Sequence, residues 1–142
     1  MGIKVERIDH LVLTCKDLTS TLEFYVKVLG MKEEKFANGR LALHFGNQKI
    51  NIHQEGNEIK PHATKTFPGT SDLCFVVDEE IDEILAILHQ NAIDVELGPV
   101  QRVGAIGKIY SIYLRDPDGN LIELSTYTPS RTTHHKTSKK YL

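Results

Sequence analysis

The sequence contains one pattern twice, and this repeat limits the possible folds more than any other feature. The stretch DHLVLTCKDL at residues 9–18 has the same order of polar and apolar residues as SDLCFVVDEE at residues 71–80: each begins with polar residues, and an apolar run follows. In both places a stretch with helical spacing of apolar residues comes next, and three short strand-like stretches follow it. The chain is therefore predicted to form two tandem modules, each with the order β-α-β-β-β.

The boundaries of the elements are predicted from periodicity and from turn residues. Asn38-Gly39 between two apolar stretches is a hairpin signal, and Gly30 suits the left-handed residue that ends a helix. In the first module we predict strands at 7–15, 31–37, 40–46 and 48–54 and a helix at 17–30, with Leu18, Leu22, Tyr25, Val26 and Leu29 on its apolar face. In the second we predict strands at 71–77, 94–100, 109–115 and 120–127 and a helix at 79–92, with Ile81, Ile84, Leu85 and Leu88 on its apolar face.

The length of 142 residues suits one α+β domain rather than two independent ones. We place this domain at residues 7–127, with module one at 7–54, a polar crossover linker at 55–70 and module two at 71–127. Residues 128–142 have little to bury and are predicted to be a flexible tail. Each helix covers one face of its sheet, so the two bare faces are expected to curve round a shared cavity.

Charge and hydropathy exclude several classes of partner. The net charge of −2 gives no reason to expect a nucleic-acid partner, and no apolar run is long enough to cross a bilayer. The first residues lack the apolar core of a signal peptide, so a cytoplasmic location is expected. Cys15 and Cys74 both lie in apolar strand-like stretches, and we expect two buried, reduced thiols.

Side-chain alternation along the strands separates a helix-facing set of residues from a cavity-facing set. The cavity-facing ligand candidates are His10, Asn51 or His53, Asp72 and Glu123. Imidazole and carboxylate groups in apolar strands are costly to bury unless they are paired or bind a metal, and this set suits a divalent ion. The alternative is that His10 and Glu123 bond each other or lie at a wet sheet edge.

Other polar residues are candidates for contact with a substrate. Cys74 points inward with the ligand candidates, and Asn51 is a candidate as well. Ser111 and Tyr113 share one face of their strand, so either could orient a substrate; the equal alternative is plain packing or solvation of the sheet face. Arg102 and Lys108 flank the loop at 103–107, and we expect both to be solvated loop charges.

Two stretches, IDHLVLTCKDLTSTLEFYVKVLGM at 8–31 and SIYLRDPDGNLIELSTY at 111–127, resemble the vicinal oxygen chelate superfamily, which includes glyoxalases, bleomycin resistance proteins and dioxygenases. The chain is most similar to its short glyoxalase-domain and virulence-type members. The resemblance implies a cupped, eight-stranded mixed sheet with a divalent metal (Ni, Zn, Mn, Co or Fe) inside, and a homodimer. It places the first metal ligand at His10 and the last at Glu123. Asp72 stands where the family usually has a histidine, and the remaining ligand falls on Asn51 or His53, of which we rank His53 first.

The resemblance also implies an activity. We expect a metal-dependent lyase or isomerase of the glyoxalase type that acts on a small oxygen-rich metabolite, with Glu123 as the catalytic base. The alternatives are a metal-free binding protein of the bleomycin-resistance type, an epoxide-opening enzyme and a ring-cleaving dioxygenase.

Overall fold

The computed structural model describes residues 1–128, and their internal contacts divide the chain into two compact units. The first unit ends at Thr70 and the second begins at Ser71. The predicted tail at 128–142 lies outside the described residues except for Thr128. None of the helices within the described part of the chain has the length and apolar character needed to span a bilayer.

The first unit forms a four-stranded mixed sheet. Its elements are β1 (His10–Cys15), α1 (Leu18–Leu22) with a π-helical continuation (Glu23–Val28), β2 (Lys32–Phe36), a 3₁₀ turn (Ala37–Gly39), β3 (Arg40–Phe45) and β4 (Gln48–Gln54). The sheet order is β1-β4-β3-β2, in which β1 and β4 are parallel and the other pairs antiparallel. Asn38 and Gly39 adopt φ values of 59° and 76°, as the predicted hairpin between β2 and β3 requires.

The second unit repeats this topology. Its elements are β5 (Asp72–Val76), α2 (Ile81–Gln90), β6 (Leu97–Val103), β7 (Lys108–Arg115) and β8 (Leu121–Thr126). The order is β5-β8-β7-β6, with β5 parallel to β8 and the other pairs antiparallel. The predicted pair of β-α-β-β-β modules is confirmed, as two four-stranded sheets.

The first helix differs from the prediction in its geometry. After Leu22 the hydrogen bonds lengthen to the i→i+5 pattern, and Leu29 N donates to Phe24 O at 3.1 Å. The wider turn rotates the buried face, so that Phe24 and Tyr25 are buried and their rings meet edge to face at 4.9 Å. Regular helical spacing had predicted Leu22 rather than Phe24 on this face.

In the second unit, alternation sorts the side chains as predicted. Ile112, Leu114, Ile122 and Leu124 are buried on one face of the sheet, and α2 packs against β7. The helix buries Ile81, Ile84 and Leu88, while Leu85 is half-buried. Glu80 and Glu83 form a capping box that starts the helix. The opposite face of the sheet carries the polar residues.

The turn before β8 ties the two parallel strands of this sheet together. Asp116 Oδ1 accepts hydrogen bonds from the backbone nitrogens of Asp118 and Asn120, each at 2.9 Å. Asn120 Oδ1 in turn accepts from Ser71 N at 2.9 Å. This buried network aligns the start of β5 with the start of β8, and the register of their side chains follows from it.

Gly98 lies at a close approach of β6 to β7. A Cβ at this position would lie 2.5 Å from the Ser111 carbonyl oxygen, and its φ of +117° is unfavourable for other residues. We predict that Gly98→Ala lowers the free energy of unfolding, measured by urea titration, by about 1–3 kcal/mol more than Gly56→Ala does. Gly56 is the matched control, because it also has a positive φ but no atom within 4 Å of the point where a Cβ would lie. Equal losses in the two variants would contradict the role of this close approach.

Candidate active site

The face of the second sheet that α2 does not cover carries a row of three reactive side chains. Register places Cys74 beside Glu123 and Glu123 beside Tyr113, on β5, β8 and β7. A pocket of ≈ 280 Å³ opens at this row, and it is lined by Asp72, Leu73, Cys74, Tyr113, Leu121 and Glu123. Four residues that the sequence predicted as metal ligands or substrate contacts therefore share one pocket: Asp72, Cys74, Tyr113 and Glu123.

Two buried serines hold the Glu123 carboxylate. Ser111 Oγ donates to Glu123 Oε2 at 2.6 Å, and Ser125 Oγ lies 3.3 Å from the same oxygen. The two hydroxyl oxygens are 2.7 Å apart, and both serines are completely buried. Hydrogen bonds to a carboxylate are stronger than those between neutral groups, so this pair orients Glu123 in a defined position. The sequence predicted Ser111 as a candidate for substrate contact but assigned no role to Ser125.

Tyr113 is held by Arg102. Arg102 Nε donates to Tyr113 Oη at 3.1 Å, and the guanidinium carbon lies 5.5 Å from the ring centroid. Burial and the nearby charge of Glu123 raise the pKa of the Tyr113 hydroxyl, while Arg102 acts in the opposite direction. Because Arg102 donates to the phenol oxygen, the phenol hydrogen points to an acceptor in the pocket, and the neighbouring Glu123 carboxylate is such an acceptor. The expectation that Arg102 is only a solvated loop charge is wrong, since β6 extends through it and turns its side chain onto Tyr113.

The expectation of two buried thiols holds for Cys15 and is wrong for Cys74. Cys15 is buried, whereas Cys74 is exposed, because it lies on the face of β5 that the helix does not cover. Cys74 Sγ lies 3.2 Å from Ser125 Oγ. Partial burial of the thiol and the negative charge of Glu123 raise the pKa of Cys74, and the hydrogen bond with Ser125 lowers it.

Asp72 lies at the beginning of β5 and is exposed. The two hydrogen bonds from Arg115 to the carboxylate of Glu96, at 2.8 and 3.0 Å, are the main reason that the pKa of Arg115 is raised, and the charge of Asp72 adds to it. Asp72 therefore lies at the rim of the pocket. The nearby cation is Arg115, which is already paired with Glu96.

His10 lies on β1 in the first unit, with 46% of its side chain exposed. Its Nδ1 is 2.8 Å from Asp9 Oδ1, and this bond lowers the pKa of Asp9. In a neutral imidazole the proton then lies on Nδ1 and the lone pair on Nε2. Metal-ligating histidines have the same arrangement, in which a carboxylate fixes the tautomer.

Asn51 and His53 lie on β4 and are both buried. Within the described chain, Asn51 Oδ1 and His53 Nε2 have no hydrogen-bond partner. His53 Nδ1 accepts from Ile59 N at 3.4 Å, so a neutral His53 carries its proton on Nε2. Burial, and next the charge of Arg40, lower the pKa of His53. In this tautomer Nε2 of His53 offers a proton rather than a lone pair. The ranking of His53 above Asn51 as a ligand stays a prediction.

Register separates the ligand candidates of the first unit. His10 is opposite Lys49, whereas Thr14 is opposite His53. Four residues along a strand correspond to roughly 13 Å, so His10 and His53 are not neighbours on this sheet. Among residues 1–128, no group of three or more His, Cys, Asp or Glu side chains is arranged to hold a metal ion. The predicted ligand set of His10, His53, Asp72 and Glu123 therefore stays a prediction.

The surroundings of Cys74 generate a prediction with opposite signs for two variants. In Glu123→Gln the apparent pKa of Cys74 should fall, because a negative charge beside the thiolate is removed. In Ser125→Ala it should rise, because a hydrogen bond that favours the thiolate is lost. The pH dependence of alkylation by iodoacetamide, followed at Cys74 by mass spectrometry, measures both.

Glu96→Gln is the control for that experiment, because it removes a carboxylate of the same unit that is paired with Arg115. Shifts of the same sign in the Glu123 and Ser125 variants would contradict the described hydrogen-bond pattern.

Comparison with known proteins agrees with this architecture. The family model described as Glyoxalase/Bleomycin resistance protein/Dioxygenase superfamily matches residues 7–124. The chain is 50% identical over 129 residues to glyoxalase domain-containing protein RDO1 of Mycosarcoma maydis, covering 91% of this chain and 73% of the relative. It is also 50% identical over 123 residues to virulence protein STM3117 of Salmonella typhimurium, covering 87% and 85% of the two chains.

Two further comparisons extend the range of similarity. The crystal structure of STM3117 superposes with a TM-score of 0.87 at 48% identity, covering 89% of this chain and all of that one. Metallothiol transferase FosB of Staphylococcus epidermidis is 27% identical over 129 residues, covering 89% of this chain and 85% of the relative. On the matched residues and the paired modules, the chain belongs to the glyoxalase/bleomycin resistance protein/dioxygenase superfamily, also called the vicinal oxygen chelate superfamily.

Proposed function

We propose that this protein is a glyoxalase-type enzyme that moves a proton between neighbouring carbons of a small oxygen-rich metabolite, with Glu123 as the general base. The observation that carries the proposal is the Glu123 carboxylate, which lines a pocket of ≈ 280 Å³ and is held by Ser111 at 2.6 Å. A general base must come within hydrogen-bond reach of the proton that it removes. A carboxylate that is both accessible and oriented meets this requirement.

Tyr113 would stabilise the charge that develops during this transfer. When Glu123 removes a proton from a carbon beside a carbonyl group, negative charge grows on the carbonyl oxygen. The phenol of Tyr113 lines the same pocket and keeps its proton, because its pKa is raised. The proton then passes from Glu123 to the former carbonyl carbon, while the hydroxyl proton of the first carbon moves to the former carbonyl oxygen. The two carbons thereby exchange carbonyl and hydroxyl groups, so the reaction is an isomerisation without net oxidation or reduction.

A divalent cation would, when bound, polarise the substrate oxygens and lower the barrier to proton removal. Two groups fit such an ion by their chemistry, the His10 imidazole with Nδ1 bonded to Asp9 and the Glu123 carboxylate. The described residues gather no cluster of three His, Cys, Asp or Glu ligands. Proton transfer by Glu123 is therefore proposed from the position and hydrogen bonding of its carboxylate, and metal dependence is a separate proposal.

The names of the relatives support this assignment. One relative at 50% identity is named a glyoxalase domain-containing protein, and the more distant FosB is named a metallothiol transferase. A metal-free binding protein is the second candidate. The family description includes bleomycin resistance proteins, and residues 1–128 contain no cluster of three or more His, Cys, Asp or Glu side chains that could hold a metal ion. A small-molecule ligand, a homodimer and a cytoplasmic location stay predictions.

We predict that Glu123→Gln lowers isomerase turnover by about 10²–10⁴-fold, because an amide cannot accept the proton. Turnover is measured as conversion of hemithioacetals, formed from methylglyoxal with a panel of cellular thiols, into thioesters. Exchange of the transferred hydrogen in D₂O reports proton removal even where no product accumulates.

Glu79→Gln is the matched control for this variant, because Glu79 is an exposed carboxylate of the same unit outside the pocket. Undiminished exchange in Glu123→Gln would contradict the assignment of the base. Tight ligand binding by the wild type with no exchange for any thiol would favour the second candidate.

Metal dependence has its own test. Wild-type protein purified without chelator should contain about one divalent ion per chain, and the His10→Ala, Glu123→Ala double variant should lose it. His44→Ala should keep the ion, because Nε2 of His44 is 2.9 Å from Glu34 Oε1 and is already occupied. Elemental analysis gives the metal content, and a metal-free wild type would contradict metal dependence.

A further inference from the structure

The first unit contains polar atoms that are buried without a partner. Across residues 1–128, three buried side-chain nitrogen or oxygen atoms have no hydrogen-bond partner: Arg40 Nε, Asn51 Oδ1 and His53 Nε2. Asn51 and His53 are 5% and 6% exposed, and both lie in the central strand β4. Buried polar atoms without partners are rare and costly in folded proteins, so a group of three needs an explanation.

Strand register places these three atoms on one face of the sheet. Leu41 is opposite Ile52, so Arg40 is next to His53 across the pair of strands β3 and β4. The charge of Arg40 acts on the His53 imidazole, which agrees with this proximity. Asn51 is two residues from His53 and therefore points to the same side.

The three atoms have complementary hydrogen-bonding roles. Arg40 Nε is a donor with a positive charge. His53 Nε2 is also a donor, because Nδ1 of the same ring accepts from Ile59 N. Asn51 Oδ1 is an acceptor. A ligand that satisfies all three must accept two hydrogen bonds and donate one.

The charges around this cluster favour an anion. Arg40 and Lys49 both lie over the Phe36 ring, at 5.0 and 4.1 Å from its centroid. The charges that act on His53 come from Arg40, Glu58 and His62, and the Glu58 carboxylate already accepts from Gly56 N at 3.1 Å. Glu34 lies on the same face, and its carboxylate is 2.9 Å from Nε2 of His44. A further negative charge is therefore attracted to Arg40 and Lys49.

We propose that this cluster is a binding site for a small α-hydroxy carboxylate. The carboxylate oxygens accept from Arg40 Nε and His53 Nε2, and the neighbouring hydroxyl donates to Asn51 Oδ1. This site uses residues of the first unit only and does not depend on the proposed role of Glu123.

Three small molecules test the proposed chemistry on the wild-type protein. Glycolate carries the carboxylate and the hydroxyl, acetate lacks the hydroxyl, and ethylene glycol lacks the carboxylate. Binding is measured by the shift of the His53 ring resonances on titration. Glycolate should bind about fivefold more tightly than acetate, because its hydroxyl adds one neutral hydrogen bond, to Asn51. Ethylene glycol should not bind, because it lacks the stronger hydrogen bonds that a carboxylate makes.

Two variants assign the contacts. Asn51→Ala should lower glycolate affinity to that of acetate and leave acetate affinity unchanged. Arg40→Gln should weaken both carboxylates by about ten- to hundredfold, whereas Lys35→Gln, which removes an exposed cation of β2, should not. Thermal unfolding shows whether each variant is folded. If a variant does not fold, the titrations of the wild-type protein with glycolate, acetate and ethylene glycol still test the proposal.

Several results would overturn the proposal. These are equal affinity for glycolate and acetate, no response of His53 to either, or undiminished binding in a folded Arg40→Gln variant. The first two would indicate that the three atoms are satisfied by internal water alone. Glycolate binding should be unchanged in Glu123→Gln, so failure here and failure of the proposed enzymatic role are separate results.

Discussion

The alternation of side chains along the strands is the constraint on which the rest of this structure depends. In the second unit, helix α2 covers one face of the sheet, and the residues on that face are apolar and buried. Every second residue must therefore point to the other face, which is where Cys74, Tyr113 and Glu123 form their row. The pocket exists because the helix covers only one face, which leaves the row of Cys74, Tyr113 and Glu123 accessible on the other.

The two units satisfy their polar groups in different ways, although their topology is the same. In the second unit, the carboxylate of Glu123 has two serine partners, and Tyr113 is bonded to Arg102. In the first unit, Asn51 and His53 are buried with an atom each that has no partner in the described chain. A satisfied network holds a reactive group in position, while unsatisfied atoms favour a ligand that supplies the missing bonds. The repeat thus provides one scaffold for two chemical environments.

Hydrogen bonding also determines which groups can act as acids, bases or ligands. Asp9 fixes the tautomer of His10 so that Nε2 offers a lone pair, whereas Ile59 N fixes the tautomer of His53 so that Nε2 offers a proton. Two histidines of one sheet are thereby suited to opposite tasks. Residue type alone would treat the two imidazoles as equivalent.

The sequence by itself determined the features that depend on local spacing: the two modules, the hairpin at Asn38-Gly39 and the face on which Glu123 lies. Tertiary structure decided the rest. Ser111 and Glu123 are 12 residues apart and meet only through the register of β7 and β8. Arg102 reaches Tyr113 because β6 ends at Val103 rather than at residue 100, and Cys74 is exposed because no helix covers its face. Periodicity shows which side of a strand a residue faces, but partners and exposure depend on neighbouring strands that are distant in the chain.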